Sequence, residues 1–269
     1  MQQAKGKGMA RGRRGFRRAL AGLLGAVLAA AGMIGTAGTA DAVVGGTDAP
    51  PAAYPYQVSL QAQNAGGWKA ICGGSIIDQR WVLTAAHCLI TSAGQLRIAV
   101  GTNTLPGGTL HLVQETIGYE AYNDNAAGRP NDIALLKLAT PITYTPLVQP
   151  IALPDATYPT GAATLTGWGW TSGNGQVTST LQQATATLLT VTDCQARWPG
   201  QNINTKHLCT YDKGSGISAC TGDSGGPLAQ NGRLLGIISW GVASCSGTYP
   251  TVYTNVSAYR AWITTKTGI

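Results

Sequence analysis

Gly222-Asp223-Ser224-Gly225-Gly226-Pro227 decides the fold of this 269-residue chain, because the hexapeptide has three readings and each belongs to a different architecture. A Gly- and Asp-rich hexapeptide is an ordinary surface turn. Gly222, Ser224 and Gly226 also spell Gly-x-Ser-x-Gly, the strand-to-helix elbow of an α/β hydrolase, in which an acid and then a histidine follow the serine. Third, a serine among glycines has a hydroxyl that no neighbour shields and backbone N–H groups free to turn inward, as a nucleophile beside an oxyanion site needs. The histidines exclude the elbow: His87, His111 and His207 all precede Ser224, so no base follows it. An order of histidine, then acid, then serine is still available.

Outward from the hexapeptide, helical periodicity is almost missing. Short β-branched and apolar runs recur instead between Gly, Pro, Asn and Asp: 57–61, 75–77, 81–84, 96–100 and 133–138, then 163–166, 184–191, 234–240 and 251–256. Many short strands at regular spacing predict an all-β barrel or sandwich. One helix is expected from about Val256, where Tyr259, Trp262 and Ile263 fall at helical spacing. Pro141, Pro146, Pro150 and Pro154 suit an extended crossover between two halves.

Two blocks upstream supply the missing chemistry. His87 ends Trp81-Val82-Leu83-Thr84-Ala85-Ala86-His87-Cys88, and an imidazole closing an apolar strand is costly unless used or well bonded. Asp132 opens the apolar run Asp132-Ile133-Ala134-Leu135-Leu136, a place where an Asp otherwise caps a turn. Together Thr84-Ala85-Ala86-His87-Cys88, Asn131-Asp132-Ile133-Ala134-Leu135 and the Ser224 hexapeptide resemble the three catalytic blocks of the chymotrypsin/trypsin family of serine endopeptidases, in its order. Val43-Val44-Gly45-Gly46, Cys72-Gly73-Gly74-Ser75, Thr166-Gly167-Trp168-Gly169 and Ser239-Trp240-Gly241 extend the resemblance, which covers the whole chain after residue 42 and is closest in layout to a secreted bacterial-type member.

That resemblance implies two packed antiparallel six-stranded β-barrels and a C-terminal helix, with His87 and Asp132 in residues 43–150 and Ser224 in 151–269. It makes Ser224 the nucleophile, His87 the base that becomes the acid, Asp132 the group that orients His87, and the N–H groups of Gly222 and Ser224 the oxyanion hole. It pairs Cys72 with Cys88, Cys194 with Cys209 and Cys220 with Cys245, and it pairs a freed Val43 ammonium with Asp223 on activation. Ser218, six residues before Ser224, takes the base of the substrate pocket, where trypsin-like members carry Asp; a neutral base cannot offset the desolvation of Arg or Lys. Ser239, Trp240 and Gly241 belong to the same pocket, Gly241 keeping its mouth open and the backbone from Ser239 to Gly241 pairing with the substrate strand, while Thr251 shortens it, which implies small-to-medium apolar residues before the scissile bond. No acidic residue occurs from Gly101 to Gln114, so no calcium loop of the trypsin type is expected.

The first residues read as an export leader. Lys5, Lys7, Arg11, Arg13, Arg14, Arg17 and Arg18 precede an apolar run from about Ala19 to Ile34 that is too short for a membrane span. Ala40-Asp41-Ala42 offers a small-x-small cleavage site, which would leave Val43 as the new N-terminus; cleavage at Ala37 or Ala40 would leave a short propeptide. Residues 1–42 carry seven of the 18 Lys and Arg and one of the 11 acids, so the chain beyond them holds 11 basic and 10 acidic side chains. The basic pI of about 9.2 therefore leaves with the leader, and with it the case for nucleic acid or a membrane surface as partner. Six Cys without any Cys-x-x-Cys point to disulfides in an oxidising compartment rather than to zinc. The expectation is a secreted, extracellular monomer without cofactor or metal, acting on proteins or peptides and open to proteinaceous protease inhibitors. A binding protein on the same fold would be expected to have lost a member of the triad, and this chain keeps all three.

Overall fold

The structure, a computed structural model, describes residues 43–155, 158–173, 175 and 177–269. The expected leader, residues 1–42, lies outside the described residues. After the short β1 (Thr47–Asp48) come β2 (Gln57–Asn64), β3 (Gly67–Ile76), β4 (Trp81–Thr84), β5 (Leu96–Val100), β6 (Thr109–Gly118) and β7 (Ala134–Leu138). Strands β2 to β7 close into an antiparallel barrel in the order β2-β3-β4-β7-β6-β5, and Leu60 opposite Ile98 joins the last strand to the first. Leu60, Ile76, Leu83, Ile98 and Leu135 fill it, each with no exposed surface. A closed barrel leaves no edge strand to be protected, which suits strands this short.

The second half holds β8 (Ala162–Gly167), β9 (Gln182–Thr187), helix α1 (Val191–Arg197), β10 (His207–Thr210), β11 (Pro227–Gln230), β12 (Arg233–Trp240) and β13 (Thr251–Asn255). Its sheet runs β1-β9-β8-β11-β12-β13-β10, so the six expected strands gain a seventh from the N-terminal residues. The sheet curls until the residues that follow β9 meet β10: Leu188 stands opposite Thr210, and the Leu189 N–H donates to the Cys209 carbonyl at 2.8 Å. The run 184–191, expected as one strand, stops at Thr187 because Thr190 caps α1, its hydroxyl accepting from the Asp193 N–H at 3.1 Å.

A 3₁₀ turn at Val256–Tyr259 leads into α2 (Arg260–Thr267), the expected C-terminal helix. Tyr259 and Ile263 are buried in the apolar cluster that fills the first barrel and also takes in Ala229, Leu234 and Ile237, and Tyr119 meets Tyr259 and Trp262 edge-on or tilted at 5.2 and 5.3 Å. The two chain ends thus cross over: β1 belongs to the second sheet, α2 to the first barrel. Disulfides join Cys72 to Cys88, Cys194 to Cys209 and Cys220 to Cys245, as the resemblance implied.

Candidate active site

His87 stands on a single 3₁₀ turn, Ala86–Cys88, just beyond β4. Its neighbour Cys88 is bonded to Cys72 in β3, so the turn is fixed covalently to the strand beside it. Asp132 enters just before β7, after Asn131 has turned the chain at φ 66°. Its carboxylate is wholly buried and fully engaged: Oδ1 accepts the His87 backbone N–H at 3.0 Å, while Oδ2 accepts His87 Nδ1–H at 2.7 Å and the Ser239 hydroxyl at 2.5 Å. Burial alone would raise the Asp132 pKa, but the bonds and charge of His87, with Ser239, hold it below the usual carboxylate range. With Nδ1 committed to the carboxylate, Nε2 of a neutral His87 is left as the acceptor, the tautomer a general base requires.

Ser224 is brought to the junction of the two halves by its own loop. Its carbonyl accepts the Gly73 N–H of β3 at 2.7 Å, and the next N–H, of Gly225, donates to the Ile238 carbonyl of β12 at 2.8 Å. Gly225 can be nothing larger: it sits at φ 77°, and a Cβ there would lie 2.2 Å from Thr84 Oγ1. Among the described residues the N–H groups of Gly222 and Ser224 donate to nothing, which leaves two unengaged backbone donors in the serine loop. Nor does Ser224 Oγ bond to His87 Nε2 among the described residues; such contacts commonly tighten only when substrate binds.

A cleft of about 740 Å³ opens beside Ser224, lined on one side by residues 124–129 and on the other by Ser239, Trp240 and Gly241. Of the five residues expected to form the pocket, these last three line the cleft. Ser218 and Thr251 do not. Both are buried behind Ala219, whose N–H donates to Thr251 Oγ1 at 3.2 Å, and their hydroxyls are 3.4 Å apart. Ala219, Val242 and Ala243 take places on the wall that the sequence had not singled out. Trp198 lines the cleft too and packs edge-on against Trp240, with centroids 4.9 Å apart.

The family model described as Trypsin matches residues 43–263. The chain belongs to the trypsin family of serine endopeptidases. A chymotrypsin-like serine proteinase of Haliotis rufescens is 39% identical over 83% of this chain and 91% of its own length, and Chymotrypsin-2 of Vespa crabro is 41% identical over 82% and 98%. Trypsin of Phaedon cochleariae is 38% identical over 84% of this chain and 89% of its own. All three are animal proteins, so the bacterial-type layout expected from the sequence finds no support among them. This trypsin-family chain is thus a serine-type hydrolase of proteins or peptides.

In this protease, as in the full sequence, Val43 follows Ala42, so its nitrogen is an uncharged amide. Val43 is nonetheless buried, packed in the same apolar cluster as Ala219 and held at φ 54°, a region β-branched residues enter only under constraint. Asp223 is wholly buried, and among the described residues its carboxylate accepts two N–H groups, from Gly169 at 2.8 Å and Cys220 at 2.9 Å. Burial pushes its pKa up to about 7 against the pull of those two bonds. Cys72, His87 and Cys88 gather ligating atoms within 4.8 Å, but the two sulfurs are joined to each other and offer no thiolate to a metal.

Proposed function

We propose that the chain is a secreted, monomeric endopeptidase that cleaves after small-to-medium apolar residues, with Ser224 as nucleophile, His87 as base and Asp132 as its orienting acid. The observation that carries this reading is the chain of bonds Ser239–Asp132–His87 beside a serine loop with two unengaged N–H groups. Ser224 Oγ attacks the scissile carbonyl as His87 Nε2 takes its proton; the N–H groups of Gly222 and Ser224 receive the oxyanion; His87 returns the proton to the leaving amine; and water releases the acyl group by the same steps in reverse roles. Each oxyanion donor is worth about 10²–10³ in rate.

Selectivity follows from what stands behind the Ala219 wall of the cleft. Ser218 and Thr251 direct their hydroxyls to each other and to the backbone of Ala219, so no carboxylate stands there to receive a basic side chain, and the branched Thr251 takes up room that a glycine would leave to a large ring. The relatives carry both chymotrypsin and trypsin in their names and so do not decide the matter. Apolar pockets discriminate by about 1–3 kcal/mol per methylene, which predicts a graded preference. A peptide library varied at the residue before the scissile bond is expected to favour Ala, Val and Leu; a dominant preference for Arg or Lys would sink the reading.

Residues 1–42 act in this proposal as the export leader, 43–150 as the half with His87 and Asp132, and 151–269 as the half with Ser224. Removal of the leader after Ala42 frees the Val43 ammonium to pair with Asp223, which relieves both the unpaired carboxyl and the constrained φ of Val43. A long-lived inactive form beginning upstream of Val43, found by N-terminal sequencing of exported protein, would count against direct activation. Proteinaceous inhibitors would enter the same cleft as substrates.

A further inference from the structure

The loop between β6 and β7 that forms one wall of the cleft is braced by its own bonds and, at Gly128 and Asn131, from the other half of the molecule. Every polar backbone atom of Gly128 is bonded across that boundary: its N–H donates to Gln201 Oε1 at 3.0 Å, and its carbonyl accepts both Trp240 Nε1–H and His207 Nε2–H, each at 3.0 Å. The fit is tight enough to demand glycine, since φ is 80° and a Cβ would lie 2.0 Å from the Gln201 carbonyl oxygen. Three residues on, Asn131 Oδ1 accepts from Lys206 Nζ at 3.2 Å and from Tyr259 OH at 3.0 Å. Lys206 and His207 thus grip both ends of the tetrapeptide that leads into Asp132.

His207 is built for this contact and for no other visible task. It opens β10 opposite Thr254, its carbonyl accepts Tyr158 OH at 3.1 Å, and it is 3% exposed. Its Nδ1 accepts the Asn204 N–H at 3.2 Å, which puts the ring hydrogen on Nε2, where it points to Gly128. Burial lowers its pKa and favours the neutral ring, though its two backbone bonds pull the other way. The imidazole does not itself line the cleft, whereas residues 124–129 and Trp240 do. One carbonyl therefore sets the position of both walls.

We propose that His207 is a positioning residue for substrate: through Gly128 it fixes the separation between the 124–129 loop and Trp240, and so the binding of an extended peptide segment before the scissile bond rather than the bond-breaking step. The inference rests on the cleft assigned above, and the test separates the two. Two substrates share one residue before the cleaved bond, a single-residue ester and a tetrapeptide amide. In His207→Met, similar in bulk but without the donor, the ratio of kcat/KM for tetrapeptide over ester falls about tenfold, mainly through KM; His207→Gln, which can still donate to Gly128, regains most of it. His207→Asn, whose shorter amide does not reach the Gly128 carbonyl, shows the same loss and stands in should His207→Met fail to fold. An unchanged ratio in the Met and Asn variants, an equal fall on both substrates, or a Gln variant as poor as Met would overturn the inference. Wild-type protein inert toward both substrates would remove the cleft, and this inference with it.

Discussion

Asp132 Oδ2 carries two hydrogen bonds inside a core with no solvent to replace either, so the loss of Ser239 should be felt well beyond the substrate wall on which Ser239 was expected. A hydrogen bond to a charged buried group contributes about 1.5–3 kcal/mol, and Ser239→Ala is predicted to lose stability of that order at neutral pH. The sign with pH follows from the depressed pKa: Asp132 contributes stability above its unfolded value, and that contribution fades as pH falls through the folded one. Denaturant midpoints of wild type and Ser239→Ala should therefore differ at pH 7 and converge in acid. For Ser224→Ala the prediction is a loss of activity of at least about 10⁴-fold with an unchanged melting curve, since its hydroxyl makes no bond among the described residues; full activity would end the nucleophile assignment. A fluorophosphonate that fails to label wild-type Ser224 would do the same.

At the scale of elements, the Ser224 loop is pressed so closely on β4 that Gly225→Ala should be severe. Its Cβ would fall 2.2 Å from Thr84 Oγ1 at a positive φ, and we expect a loss of more than about 2 kcal/mol together with activity, read by thermal melting and burst titration. Replacing Cys72 and Cys88 by Ser should cost about 3 kcal/mol and loosen the His87 turn. The strands legible in the sequence were those whose pattern matches their burial: β4 and β7 are nearly continuous apolar runs and are buried throughout but for Lys137. Strand β6 was hidden because its alternation is inverted, with Leu110 and Leu112 facing out while His111 and Val113 face in. Strand β11 is four residues long and begins with Pro227, a residue that argues against a strand. Helix α1 was missed although Thr190-x-x-Asp193 is a readable cap. The His87 and Asp132 blocks could be read because each is local; the bond from Ser239 to Asp132 spans 107 residues and no local pattern announces it. Ser218 is expected at the pocket base from its spacing to Ser224 and Thr251 as the residue that shortens the pocket, whereas in the structure both lie behind Ala219 with their hydroxyls 3.4 Å apart, a contact across 33 residues that no local pattern announces.

For the molecule as a whole, the proposed activation, in which removal of residues 1–42 gives Asp223 the Val43 ammonium as partner, predicts that stability depends on that removal, since among the described residues no cation pairs with Asp223. A carboxyl whose folded pKa is raised from 3.8 to about 7 contributes stability that is full below the unfolded value and lost as pH rises through the folded one. The chain retaining residues 1–42 is therefore predicted to lose melting temperature between those two values, Asp223→Asn to flatten that slope, and the chain starting at Val43 to be free of it; identical slopes in all three would refute the account. The crossing of the chain ends has a mechanical consequence as well. Because β1 is a strand of the second sheet and α2 packs against the first barrel through Ile263 and Trp262, a force pulling β1 and α2 apart loads both halves at once. Neither half is a separable module that could be cut out and refold alone, and heat should melt them in one cooperative transition, with equal calorimetric and van't Hoff enthalpies.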